Sequence, residues 1–215
     1  VVAGDFRQSD IALGHEGAPI TVAAMSRLFG DRRQSRLIVN IGGMSNYFYF
    51  PAARSRRRIR AADCGPGNSL LDILSQKLYG EKYDRHGRHA LAGDISQRLL
   101  SVLLAEPFFG GRAVSTGREA FGDRLARRII GLGKKLKLRP EDIMATTAEL
   151  TVMSIVQSVE GLLTRDSTLT KLCLTGGGLR NKFLRRRLAD IFDDVEVCSI
   201  AELGVDPDLV EAAAY

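Results

Sequence analysis

This sequence contains no run of eighteen or more apolar residues, so it offers no helix able to span a bilayer. Its opening, Val1-Val2-Ala3-Gly4-Asp5, lacks the basic and apolar regions of a secretory signal, and a cytoplasmic protein with no membrane partner is expected. Cysteine is scarce. Cys64, Cys173 and Cys198 stand apart without CxxC spacing, which argues against a disulfide framework and against a zinc site and predicts reduced thiols. No internal repeat or low-complexity linker interrupts the 215 residues. With 45% hydrophobic residues the chain is long enough for one sizeable core, and one domain, or one plus a fragment, is expected.

Positive charge is present in excess but unevenly placed. The net +6 comes largely from Arg54 to Arg60, Lys134 to Lys137 and Arg185-Arg186-Arg187. Such clusters attract nucleic acid or acidic lipid, yet no aromatic residues interleave with them as a base-stacking surface requires. One falls in an expected hairpin turn and another on an expected helix face. A solvated surface without a nucleic-acid partner is the expectation.

Three successive strand signals, 37–41, 46–50 and 58–62, are separated by glycines and by a proline-containing turn, and they predict an antiparallel meander. After Asp63 the spacing becomes helical: Leu70, Leu71, Leu74 and Leu78 share a face and Gly80 supplies a stop. Further helices are expected over 95–104 and 121–132. A longer one starts near Pro140-Glu141-Asp142, with Val152, Ile155, Val156, Val159 and Leu163 as its core stripe. A buried strand over 171–175, a helix over 183–191 and a strand over 195–198 complete a β-α-β unit. The fold class expected is α/β, a ribonuclease-H-like (actin-like ATPase) mixed sheet with flanking helices and ligands at the strand ends.

Three loops carry the chemistry. Asn40-Ile41-Gly42-Gly43 joins two strands through paired glycines, either a phosphate cradle of backbone N–H groups or a plain hairpin turn. Asp63-Cys64-Gly65-Pro66-Gly67-Asn68 is read as ending the third strand and opening a helix. That places the Asp63 carboxylate on a rigid mount suited to a general base, or makes it an N-cap or Asx-turn residue. Gly176-Gly177-Gly178-Leu179-Arg180-Asn181 follows a strand and precedes a helix, the setting in which a glycine-rich turn aims a helix N-terminus at a nucleotide. No Gly-Lys-Ser/Thr follows, so it is not a Walker A loop, and Glu196 lies within its strand, which excludes a Rossmann dehydrogenase pattern.

Taken in order, these loops resemble the anhydro-N-acetylmuramic acid kinase family of the actin-like and sugar-kinase superfamily. The resemblance spans nearly the whole chain: Val2 to Arg7, Asp10 to Gly14, Gly17-Ala18-Pro19, Asn40 to Gly43, Asp63 to Asn68 with Asp72, Ser115 to Glu119, Ala145 to Thr151, Gly176 to Asn181, and Gly204 to Asp208 with Glu211. It implies a two-lobed kinase in which residues 1–35 close lobe I and residues 36–215 form the nucleotide-binding lobe II. It also implies ATP and Mg2+ as cofactors, a small sugar as substrate and a homodimer. The reaction implied opens the 1,6-anhydro bridge of anhydro-N-acetylmuramic acid with water while phosphorylating O6, giving N-acetylmuramic acid 6-phosphate in bacterial cell-wall recycling. Asp63 is then the base that activates water, and Asn40, Gly42, Gly43, Gly65, Gly67, Gly176, Gly177, Gly178 and Asn181 bind the nucleotide. Arg7 and Glu211 meet the sugar; the bland alternatives are an Arg7–Asp10 pair and a solvated glutamate. Ser115 to Glu119 lies near the cleft or simply starts a helix.

Three departures qualify the resemblance. Cys64 stands in place of the family's threonine, removing a hydroxyl expected beside the base, and His15-Glu16 replaces Gly-Gln. The phosphate loop of the first lobe does not occur, and both ends read as cut. These features motivate an alternative, a truncated non-catalytic nucleotide-binding or scaffold relative.

Overall fold

Leu37, Ile38 and Val39 are consecutive and all fully buried, which alternation in a one-sided strand does not allow. They belong to the centre of a sheet covered on both faces. The structure is a computed structural model that describes residues 22–106, 109 and 121–207. In chain order its elements are α1 (Val22–Phe29), β1 (Ser35–Ile41), β2 (Met44–Phe50), β3 (Arg60–Pro66), α2 (Asn68–Tyr79), a 3-10 turn (Arg85–Gly87), α3 (Arg88–Ala92), α4 (Gln97–Leu104) and α5 (Asp123–Lys135). They continue with α6 (Pro140–Leu163), β4 (Leu169–Thr175), a 3-10 turn (Gly177–Arg180), α7 (Lys182–Ile191), β5 (Glu196–Ser199) and a 3-10 turn (Ile200–Leu203).

The sheet order is β3-β2-β1-β4-β5, with β1–β2 and β2–β3 antiparallel and β1–β4 and β4–β5 parallel. This is the expected meander followed by a β-α-β unit, a ribonuclease-H-like mixed sheet with flanking helices. On one face Leu37, Val39, Tyr47, Tyr49, Leu172 and Leu174 pack under the helices, α6 foremost. On the other face Ile38, Phe48, Phe50, Cys173 and Cys198 form a smaller cluster with Met25 and Phe29 of α1 and with Ile200.

Local signals place the helices close to expectation. Gly80 ends α2 at φ 73 with its N–H on the Gln76 carbonyl, a left-handed position that a side chain disfavours. Pro140 opens α6 at a position where a missing N–H costs nothing, and the Asp142 carboxylate accepts the Arg139 N–H at 3.1 Å. The α6 stripe is buried as expected at Val152, Ile155, Val156 and Val159. The α1 helix and the 85–92 segment are additions to the elements expected from the sequence.

The third strand differs from expectation. It starts at Arg60 and continues through Asp63 to Pro66, because pairing with β2 persists as far as Met44 opposite Pro66. A proline is tolerated there since β3 is an edge strand. Asp63 therefore lies inside the strand, opposite Asn46, and Cys64 is the extra residue of a bulge, because Ser45 already faces Gly65.

Candidate functional site

The turn after β1 and the turn after β4 emerge at the same end of the sheet, because the two strands are parallel and Asn40 pairs with Thr175. The start of α2 joins them. The N–H groups of Gly67 and Ser69 reach the Gly43 carbonyl at 3.1 Å each, the Asn68 N–H reaches the Gly42 carbonyl at 2.8 Å, and Asn68 Nδ2 donates to the Ile41 carbonyl at 2.9 Å. A side chain at Gly67 would collide with the Gly42 carbonyl, one at Gly176 with Asn40 Oδ1 and one at Gly178 with Ile41. Gly176 in addition holds φ 78. The three glycine segments singled out in the sequence thus form one side-chain-poor surface, and the glycines let them touch.

The first donors of α2 are committed to the hairpin rather than offered to an anion. At α7 the same holds for two donors, since Asn181 Oδ1 accepts from Phe183 N–H at 3.0 Å and Leu184 N–H at 3.3 Å. A 3-10 turn, Gly177–Arg180, separates the glycine triplet from that helix. The sequence places this stretch as a turn ahead of a helix over 183–191, and the 3-10 turn is the added detail. The remaining backbone of Gly42-Gly43 and of Gly176 to Gly178 is the part of this surface suited to phosphate oxygens.

Beside this surface the sheet presents a polar row. Cross-strand register puts Asp63 opposite Asn46, Asn46 opposite Asn40 and Asn40 opposite Thr175, so the four side chains lie on one face, the face that carries Ile38, Phe48 and α1 further down. Asp63 is exposed, whereas Thr175 is buried and its hydroxyl donates to the Pro207 carbonyl at 3.4 Å. Asn46 Oδ1 is buried and has no hydrogen-bond partner among the described residues. Asn46 was missed in the sequence; its signal is a polar residue two positions before Phe48 on an otherwise apolar face.

Cys64 points the other way. It is 3% exposed within the core under α6, and burial pushes its thiol up to about 12 despite the Ser158 hydroxyl nearby, with the charge of Asp63 adding to the rise. The expectation that Cys64 removes a hydroxyl beside the base is therefore corrected, because successive strand residues face opposite sides of the sheet. Asp72, one turn along α2 from Asn68, is half-buried, and burial pushes its carboxyl up to about 6 against the pull of Lys82. Arg7, the segments 10–19 and 115–119, and Glu211 lie outside the described residues.

A model of the family described as anhydro-N-acetylmuramic acid kinase matches residues 1–215. The chain is 41% identical over its whole length to a protein of that name from Pseudomonas syringae pv. tomato and 38% identical to one from Haemophilus influenzae, covering 57% of each. It thus spans a little over half the length of these relatives. Among solved structures, the activator of 2-hydroxyisocaproyl-CoA dehydratase from Clostridium difficile, with bound ADPNP, aligns with a TM-score of 0.52 at 16% identity over 90% of this chain and 62% of that one. A ligand-bound xylulose kinase from Lactobacillus acidophilus aligns with a TM-score of 0.52 at 13% identity, over 91% of this chain and 42% of that one. At these identities the two structures share the fold alone. Motif order, a match along all 215 residues and identities near 40% agree: the chain belongs to the anhydro-N-acetylmuramic acid kinase family.

Proposed function

We propose that this chain forms the nucleotide-binding lobe of a cytoplasmic, homodimeric kinase that opens 1,6-anhydro-N-acetylmuramic acid with water and phosphorylates O6, yielding N-acetylmuramic acid 6-phosphate for cell-wall recycling. The observation that carries the reading is the placement of the exposed Asp63 carboxylate, on a rigid strand, beside the surface where the three glycine segments meet. Residues 36–215 make up this lobe and residues 1–35 close the preceding one.

In this reading Asp63 takes a proton from water, the water oxygen bonds to the anomeric carbon, and the bond from that carbon to the bridging oxygen breaks. The freed O6 accepts the γ-phosphoryl group and ADP leaves. Gly42, Gly43, Gly176, Gly177 and Gly178 leave room for ATP phosphates to approach the backbone, Gly67 and Asn181 also hold their turns in place, and Asn40 and Gly65 are assigned to the nucleotide with them. The site suits ATP because its glycines keep side chains off the surface. Among the described residues no group of three or more His, Cys, Asp or Glu side chains is gathered for a metal. Magnesium would therefore enter with the nucleotide rather than on a protein-built site, and would supply charge neutralisation on the transferring group. Arg7 and Glu211 are assigned to the sugar.

The test is ADP release by the full-length protein with and without the anhydro-sugar. Acceptor-dependent release, lost in Asp63→Asn while ATP affinity stays within a few-fold, supports the assignment. Undiminished turnover in that variant rejects Asp63 as the base.

A further inference from the structure

Among the described residues Asn46 Oδ1 is a buried acceptor without a donor, a condition that native structures rarely leave unexplained. Its surroundings follow from register. On β2 the side chains sharing its face are Phe48 and Phe50, and on β1 the neighbours are Ile38 and Asn40. On β3 the residue directly opposite is Asp63. Directly opposed residues hold their Cβ atoms about 5 Å apart, within reach of an amide and a carboxyl. An ionised carboxylate has only acceptors and gives the Asn46 oxygen nothing, whereas a protonated carboxyl carries an O–H donor.

We propose that Asn46 is a positioning residue for Asp63, its side-chain oxygen receiving the hydrogen bond of the Asp63 carboxyl once that group has taken the proton from water. The proposal rests on the reading of Asp63 as the base. An acceptor left unpaired before proton transfer and paired after it stabilises the later state selectively, and an interaction that strengthens towards the transition state raises kcat rather than affinity. It also explains why a polar side chain interrupts the apolar face shared with Phe48 and Phe50.

The neighbours that β2 and β1 send to this face at and next to the Asp63 position, Asn46, Phe48, Ile38 and Asn40, are not ionisable. Arg36 lies at the far end of β1, paired with Asp31 at 3.1 Å. The α6 helix packs on the opposite face, where Cys64 stays a protonated thiol.

The experiment is the pH profile of kcat/KM for the full-length protein and for Asn46→Ala, Asn46→Asp and Asp63→Asn. Loss of the acceptor in Asn46→Ala is expected to lower kcat by up to about tenfold with the KM for ATP within about threefold, and to move the acidic limb down by about 1 pH unit. The isosteric Asn46→Asp keeps an acceptor and adds a like charge, so its acidic limb is expected to move up by about 1 pH unit. Should Asn46→Ala fail to fold, the Asn46→Asp limb decides alone. Limbs that stay in place, whatever happens to thermal stability, reduce Asn46 to a structural role and overturn the proposal. An upward move in Asn46→Ala overturns it too, since the amide would then be holding the ionised form. Full activity of Asp63→Asn overturns the base assignment and this proposal with it, whereas an inactive Asp63→Asn with unmoved Asn46 limbs overturns the proposal only.

Discussion

Glu149 on α6 and Arg187 on α7 meet in a two-point pair, Nε to Oε2 at 2.9 Å and Nη2 to Oε1 at 2.8 Å, with the Glu149 side chain 4% exposed and that of Arg187 30%. Hydrogen bonding to Glu149 holds the Arg187 proton above the ordinary range. The pair joins the long central helix to the helix that follows the glycine triplet.

Arg187→Ala is expected to destabilise the full-length protein by about 3–5 kcal/mol, because it strands a buried carboxylate. Replacing both partners, Arg187→Met with Glu149→Leu, is expected to recover most of that loss. Urea unfolding of the two variants measures the difference. A single variant no less stable than the double would remove the pair from the account of the core.

Two glycines make opposite demands. Gly178 packs against Ile41, so Gly178→Ala must push the turn after β4 away from β1; a loss of about 1–3 kcal/mol and weaker ATP binding are expected. Gly80 has open space where a side chain would go and is constrained only by φ 73, so Gly80→Ala is expected to cost about 1 kcal/mol and leave ATP binding unchanged. Thermal unfolding and nucleotide titration separate the two effects.

At the other end of the sheet Tyr49 donates to Asp166 Oδ2 at 2.5 Å. Burial pushes the Asp166 carboxyl up, but hydrogen bonds from Ser35, Tyr49 and Thr168 outweigh it and bring the group down to about 2; burial, together with Asp166, pushes the Tyr49 hydroxyl up to about 12. A depressed carboxyl adds stability above its unfolded pKa of 3.8 and loses it as pH falls through the folded value. This contribution is therefore expected to disappear between about pH 4 and pH 2. Tyr49→Phe is expected to narrow that pH-dependent loss and to cost about 1.5–3 kcal/mol at pH 7, read by urea unfolding across pH.

Asp72 has the reverse sign. Its folded carboxyl, held up to about 6 by burial, binds a proton more tightly than the unfolded one at 3.8, so folding loses stability as pH rises from the unfolded to the folded value. Asp72→Asn is expected to raise the Tm at pH 8 and to leave it unchanged at pH 3. Equal effects at both pH values would show that the carboxyl is not desolvated in solution.

Much of the architecture was legible because its signals are local. The double-sided apolar run of 37–41, the leucine face ending at Gly80, the proline start of α6 and the glycine triplet each act within a few residues, through side-chain burial or backbone dihedral preference. The site was legible only as three separate loops and one acid. That Asn40 to Gly43, Gly67 to Ser69 and Gly176 to Gly178 touch depends on β1 and β4 being parallel neighbours, a pairing across more than a hundred residues of chain.

The sequence by itself determined the order of the strands and of the longer helices, the glycine-bearing turns and the family. The tertiary structure alone decided that β3 runs on to Pro66, that Cys64 bulges away from the site and that Asn46 shares a row with Asp63. The physical reason is register: pairing with β2 sets where β3 ends, and a slip of one residue would exchange Asp63 and Cys64 between the open face and the core.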